Sequence, residues 1–317
     1  MDRANESFNH TISYYDTALN ARTAVLAQDH PAVCLFVNDT ADAPVLDKLH
    51  EQGVRLVALR SAGFNNVDLG QAQNLNLTVV RVPGYSPYAV AEHALAMILT
   101  LNRKTHLAYQ RVQSGNFSLE RLMGFDLHGK TVGVVGSGRI GQLFARMMRG
   151  LGCSVIVYDP YPNEEFAQEE GIAYVEREVL FAEAAIISLH CPLTEESHHI
   201  INAEAIEQMQ DNVMLINTSR GALVDTQAVI RGLKSRKVGY FGMDVYEQEE
   251  NLFFEDLSGS IIQDDQITRL MTFPNVLITS HQAFFTDQAM HEIAETTLQN
   301  IADFEQGSSL KNQVKRN

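Results

Sequence analysis

Four polar residues late in the chain, Arg220, Asp244, Glu249 and His281, each stand just beyond an apolar run, and together they suffice to reduce a carbonyl. Arg220 lies in Asn217-Thr218-Ser219-Arg220-Gly221, directly after VMLI. Asp244 and Glu249 lie in 243–249, after GYFG, and His281 lies in Ser280-His281-Gln282, after NVLIT. In an open parallel sheet, ligands bind beyond the carboxyl ends of the strands, so these side chains would gather on one side. Arginine offers a planar fork to a carboxylate and polarises an adjacent carbonyl. Histidine, with an unperturbed pKa of about 6.5, can hand that carbonyl its proton near neutral pH. A neighbouring glutamate favours the charged ring and fixes its tautomer. Each residue also has a plainer reading. An arginine after a strand is often a surface or ion-pair residue, and acids in a loop such as EQEE are often merely solvated. Ten other histidines compete with His281; of these, His190 and the pair His198-His199 have no acid placed by motif.

A hydride source is indicated upstream. Gly136-Ser137-Gly138-Arg139-Ile140-Gly141 follows the apolar run TVGVV and opens a segment in which Ile140, Leu143, Phe144, Met147, Met148 and Leu151 recur at helical spacing. A lone G-x-G-x-x-G says little. Here a second run, SVIVYD, ends in Asp159, 18 residues past the last glycine, which is the context that a dinucleotide-binding turn requires. Gly136 permits the tight turn, Gly138 lets a pyrophosphate approach the backbone, and Gly141 lets helix and strand pack closely. The helix N-terminus then stabilises the diphosphate. Asp159 would accept hydrogen bonds from the adenosine ribose and repel a 2′-phosphate, which favours NAD over NADP.

The elements that must hold these residues follow from the alternation of short β-branched runs with helical patterns, the mark of parallel α/β architecture. Early candidate strands are 33–37, 54–59 and 77–80, with a helix at 44–52. A second series comprises 131–135, 154–158, 186–189, 213–217, 240–244 and 276–279. A length of 317 residues suggests two domains, and two sheets are expected. A long helix at 87–108, apolar on more than one face, and the C-terminal pattern Met290, Ile293, Ala294, Ile301, Phe304 are the crossovers. The first domain is therefore expected to be discontinuous, 1–85 with 285–317, and the dinucleotide-binding domain to span 86–284.

Composition narrows the function classes. Acidic residues outnumber basic ones, 39 to 24, for a formal charge of −15, which disfavours nucleic acid and anionic lipid as partners. No apolar run of membrane-spanning length exists; the greasiest stretch, 89–101, is interrupted by Glu92 and His93. The opening MDRANESFNH has no signal-peptide core. Three scattered cysteines with no C-x-x-C fit a reducing cytoplasm, and no metal site is expected.

The stretches RSAGFNNVDL (60–69), VRVPGYSPYAVAEHALAMILTLNRK (80–104), GKTVGVVGSGRIGQLFARM (129–147), SLHCPLT (188–194), INTSRGALVD (216–225), GMDVYEQE (242–249) and SHQAF (280–284) resemble the D-isomer-specific 2-hydroxyacid dehydrogenase family, within it the fermentative D-lactate dehydrogenases. The resemblance runs over nearly the whole chain from residue 32. It implies two parallel-sheet Rossmann-like domains, a flavodoxin-like substrate domain and an NAD-binding Rossmann domain, with the active site in the cleft between them. It implies Arg220, Glu249 and His281 as the catalytic trio and Asp244 near the nicotinamide. The Ala62-Gly63 amides would clamp the substrate carboxylate, with Tyr85 lining the pocket. Further cofactor contacts would come from Arg139, Ile140, Asp159, Cys191, Pro192, Thr218 and Ser219. Ser197 departs from the asparagine common in relatives, so that contact would be lost or longer. Formate dehydrogenases of similar fold pair their histidine with glutamine, so Glu249 argues against formate. The expected reaction is reduction of pyruvate to D-lactate by NADH in a cytoplasmic homodimer or homotetramer. The alternatives are another D-2-hydroxy acid, or a non-catalytic NAD-sensing protein of the co-repressor kind. Relatives also begin with an apolar strand inside the first sheet. Here the first such run, 12–15, better matches their second strand, so the polypeptide is expected to start upstream, and the form beginning at Met1 to be less soluble and less active.

Overall fold

The structure, a computed structural model, describes residues 1–249 and 252–315. It comprises two units, Met1–Ser86 joined by the segment from Phe285 onward, and Pro87–Phe284.

In the first unit β1 (Ala32–Leu35), β2 (Leu56–Leu59) and β3 (Thr78–Val80) form a parallel sheet in that order. β2, LVAL, is buried at every position because both faces are covered. One cover is the helix Ala43–Glu51, started by the Asp42 carboxylate accepting from the Val45 N–H and by Pro44 in its first turn. The other is the helix Asp287–Glu305, whose Ile301 and Phe304 pack on Leu56, Ala58 and Val80. The segment beyond it returns along β3, with Gln313 bridging Val80 antiparallel. Residues 12–15 form no strand. Ile12 packs instead with Ala294 and Leu298 of that helix, while Tyr14 and Tyr15 are exposed.

The second unit is a seven-stranded parallel sheet in the order β10-β9-β8-β7-β4-β5-β6. Its strands are β4 (Thr131–Val135), β5 (Ser154–Tyr158), β6 (Ala173–Tyr174), β7 (Ile186–Leu189), β8 (Val213–Asn217), β9 (Val238–Met243) and β10 (Val276–Ile278). The chain winds outward from β4 to β6, then crosses back to β7 on the other side of β4. That reversal makes the carboxyl ends of β4 and β7 the switch point where such sheets take ligands. The central strands β7 and β8 are wholly buried, as their unbroken apolar runs require.

The long helix expected over 87–108 ends at Arg103, and a second helix runs Thr105–Gln113. Lys104 between them is left-handed, at φ +51°. Its ammonium donates to the Met123 carbonyl at 2.6 Å, and the Asn102 amide clasps Phe125 by both its N–H and its carbonyl. These tertiary bonds break a pattern that periodicity alone would continue. Ala94, Met97, Ile98 and Leu101 of the first helix pack into the core of this unit, against Val132, Val134 and Ile216.

Candidate active site

At the switch point the glycines close the backbone on itself. Gly136 has φ +95°, and a Cβ there would lie 2.7 Å from the Cys191 backbone nitrogen; at Gly141 it would run into the Gly136 carbonyl oxygen. Around Gly138, by contrast, a Cβ would meet no heavy atom within 4 Å, and the helix that begins there, Arg139–Gly150, has no side-chain cap. Open space beside uncapped N–H groups suits an anionic diphosphate. Arg139 is exposed there, while Ile140 is half-buried against the core.

Asp159 ends β5 as expected and also braces the turn. Its Oδ2 accepts from the Ser137 N–H at 2.6 Å and the Ser137 hydroxyl at 2.8 Å, and its Oδ1 accepts from the Tyr161 N–H at 2.9 Å. A carboxylate has about four acceptor sites, so room for a ribose hydroxyl remains. Across the switch point, the Ser219 hydroxyl donates to the Cys191 carbonyl at 2.6 Å. Burial pushes the Cys191 thiol up to about 11, which makes it a neutral wall and not a nucleophile. Thr218 Oγ1 is buried without a hydrogen-bond partner among the described residues, a polar group that a ligand could satisfy. Ser197 is turned into its own loop: its hydroxyl donates to the Pro192 carbonyl and accepts from the Thr194 N–H, both at 2.7 Å. The open turn, the acid at the end of β5 and the orphaned hydroxyl after β8 together fit NAD.

The groups expected to react stand beyond β8, β9 and β10. His281 Nδ1 lies 2.9 Å from Glu249 Oε1, which leaves Nε2 with no described partner. Glu249 is itself held, its Oε2 accepting from the Tyr246 N–H at 3.0 Å. Arg220 is exposed and forms no ion pair with a described residue; its guanidinium donates only to the Ser219 carbonyl, at 2.7 Å. The Asn217 side chain locks the turn beneath it, donating to the Arg220 carbonyl at 2.8 Å and accepting from the Ser219 N–H at 3.1 Å.

Asp244, expected to lie at the nicotinamide, is completely buried and bonded to the chain itself. Oδ1 accepts from the Thr279 hydroxyl and the Gln282 N–H, and Oδ2 from the Ala283 N–H, while His93 Nε2 lies 3.5 Å away. Burial opposes its charge, yet His93, Thr279 and the two amides outweigh it and hold the carboxyl below its usual range. The Asp244 carbonyl also accepts from the His281 N–H at 2.6 Å. These bonds hold His281 at φ +53°, a backbone region that a non-glycine residue enters only where its surroundings impose it. Asp244 thus sets the position of the histidine.

In the first unit the turn after β2 is locked in a way that exposes amides. The Ser61 hydroxyl donates to the Gly63 carbonyl at 2.8 Å and the Arg81 guanidinium to the Ala62 carbonyl at 2.9 Å, while the N–H groups of Ala62 and Gly63 donate to no described residue. Two adjacent amides with no described acceptor could receive an anion. Tyr85 is half-buried in the segment after β3.

Two features were not legible in the chain. His93 looked like an interruption in an apolar run, and only the fold brings it to Asp244. His199, which no motif supplies with an acid, has one: its Nε2 lies 2.6 Å from Glu247 Oε1. Two glutamates two residues apart serve two different histidines, a division that spacing within EQEE does not reveal. Among the described residues no cluster suited to a metal ion occurs, and no helix is long and apolar enough to cross a membrane.

Residues 95–283 match the model for the NAD-binding domain of D-isomer-specific 2-hydroxyacid dehydrogenases. The D-lactate dehydrogenase of Escherichia coli is 51% identical over 314 residues, covering 99% of this chain and 95% of that protein. A solved structure of the apo form of an Escherichia coli D-lactate dehydrogenase superimposes with a TM-score of 0.92 at 48% identity, over 99% of this chain and 95% of that one. The Aquifex aeolicus D-lactate dehydrogenase, solved with NAD and lactic acid, gives 0.84 at 34% identity, over 96% and 91%. The chain belongs to the D-isomer-specific 2-hydroxyacid dehydrogenase family, with an NAD-binding domain built on its second sheet.

Proposed function

We propose that the chain is an NAD-dependent D-lactate dehydrogenase, which reduces pyruvate to D-lactate. The observation that carries this reading is the 2.9 Å contact of His281 with Glu249, whose turn is stacked on that of an arginine with no described ion-pair partner. NADH, when bound, supplies the hydride that adds to the carbonyl carbon. His281 Nε2 delivers the proton to the carbonyl oxygen, since Nδ1 is engaged by Glu249, and that contact fixes the orientation of the ring. Arg220 and the Ala62 and Gly63 amides hold the substrate carboxylate, and Tyr85 lines the pocket. Gly136, Gly138, Arg139, Ile140, Gly141, Asp159, Cys191, Pro192, Thr218 and Ser219 form the dinucleotide site.

The same reading makes the protein a cytoplasmic enzyme of fermentation, working as a homodimer or homotetramer. The free cysteines favour a reducing compartment, and the net charge disfavours nucleic acid. The exposed Tyr109, Phe117, Leu119 and Met123 supply apolar surface for self-association.

The test follows loss of NADH absorbance with pyruvate, 2-ketobutyrate and phenylpyruvate, then repeats it with NADPH. Pyruvate and NADH should give the highest kcat/KM. His281→Ala should lower turnover by about 10²–10⁴-fold, with NADH binding nearly intact. Tight NADH binding without turnover on any of these acids would refute the enzymatic reading in favour of a sensor.

A further inference from the structure

The turns that carry Arg220 and Glu249 are stacked backbone on backbone. A Cβ on Gly221 would collide with the carbonyl group of Tyr246 and the nitrogen of Glu247, so no side chain fits between them. Around this stack the chain is zipped: the His199 N–H donates to the Ala222 carbonyl, the Ile201 N–H to Leu223, and the Asp225 N–H to Ile201. At the centre lies the Glu247 carboxylate. Its Oε1 meets His199 Nε2 at 2.6 Å, and its Oε2 accepts the Thr226 hydroxyl at 2.9 Å. One carboxylate therefore ties the β9 turn to both the β7 loop and the start of the helix Thr226–Ser235. His199 is held at φ +50° with its ring stacked on His198, centroids 3.9 Å apart, a conformation that persists only where the surroundings impose it.

We propose that the Glu247–His199 pair is a positioning latch for the reaction, pinning the turn that bears Glu249 against the turn that bears Arg220. Neither residue touches the substrate. Glu249 stands two residues beyond Glu247 and is bonded to the Tyr246 N–H, so releasing Glu247 frees the backbone from which Glu249 reaches His281. The same release loosens the support under Gly221, hence Arg220. Both the proton donor and the carboxylate fork depend on one carboxylate–imidazole contact.

The inference rests on Glu249 and His281 being the proton-transfer pair. Glu247→Ala should lower kcat by about tenfold or more, short of the ~10² that an ångström of misplacement costs, and should raise the pyruvate KM. NADH affinity, measured by fluorescence titration, should fall far less than kcat, because Asp159 and the glycine turn lie across the sheet from the loosened turns. Glu247→Gln should restore most of the loss: its amide oxygen still accepts from Thr226, and its N–H can donate to a neutral His199. His199→Ala should match Glu247→Ala, and the double variant should be no worse than either. Unchanged kcat and KM in Glu247→Ala, failure of glutamine to rescue, or additive losses would each overturn the latch. If Glu249→Gln and His281→Ala abolish turnover while Glu247→Ala leaves kcat and KM unchanged, the latch alone falls. If those two also leave turnover intact, the proton-pair reading falls with it.

Discussion

Replacing Gly221 with alanine asks directly whether the Arg220 and Glu249 turns must remain in contact. The new methyl would overlap the Tyr246 carbonyl and the Glu247 nitrogen, whereas ordinary contact begins at 3.4 Å. The obstacle is backbone, so no rotamer relieves it, and the turns must part by more than an ångström. Displacement of that size in an active site costs on the order of 10²-fold in rate, which corresponds to about 2.7 kcal/mol of barrier. Overpacking costs a further ~1–3 kcal/mol of stability, at about 2–4 °C of Tm per kcal/mol for a unit of this size. Gly221→Ala should therefore show kcat down about a hundredfold, a raised pyruvate KM, and a Tm several degrees lower. NADH affinity should change far less. Gly138→Ala is the contrasting case, since a Cβ there meets nothing within 4 Å. Its Tm should stay put while NADH binding weakens, because the methyl fills space kept for the diphosphate. A Gly221→Ala enzyme with unchanged kcat and KM would refute the stacked-turn reasoning, and a Gly138→Ala enzyme with unchanged NADH affinity would remove the diphosphate from that turn.

Arg220→Lys should raise the pyruvate KM sharply, because an ammonium cannot form two parallel bonds to a carboxylate; a near-normal KM in steady-state kinetics would put the carboxylate wholly on the Ala62 and Gly63 amides. Asp159→Ala should narrow the gap between NADH and NADPH in kcat/KM, and an unchanged ratio would mean that the adenosine ribose is read elsewhere. Burial of the His190 ring against Phe144 pushes it down to about 3 from 6.5. The unfolded chain therefore binds a proton that the folded one refuses. Stability is complete above pH 6.5 and falls as the pH drops toward 3, by up to about 2 kcal/mol at pH 5. His190→Gln should flatten that part of the Tm-against-pH curve, and parallel curves for the two proteins would contradict the assignment.

The candidate site residues could be singled out in the chain because each lies in a local pattern. The glycine turn needs only a strand before it, a helix after it and an acid at the end of the next strand, all within 29 residues from Thr131 to Asp159. Arg220, Glu249 and His281 were readable as polar residues just past apolar runs, and the α/β class followed from alternating periodicities. Contact partners were not legible in this way. Whether Glu247 or Glu249 meets His281 depends on how the β9 turn lies on the β8 turn, which a collision at Gly221 decides across 25 residues of chain. Asp244 reads as a ligand contact from its place after a strand, but the β10 loop folds over it and takes both of its oxygens. The long helix read from periodicity breaks at Lys104, because bonds to Met123 and Phe125 outweigh a helical preference worth only tenths of a kcal/mol per residue. Local sequence sets which groups are available, since periodicity and turn chemistry act over a few residues. Which of them touch is decided by packing between elements distant in the chain, and no spacing rule reaches that far.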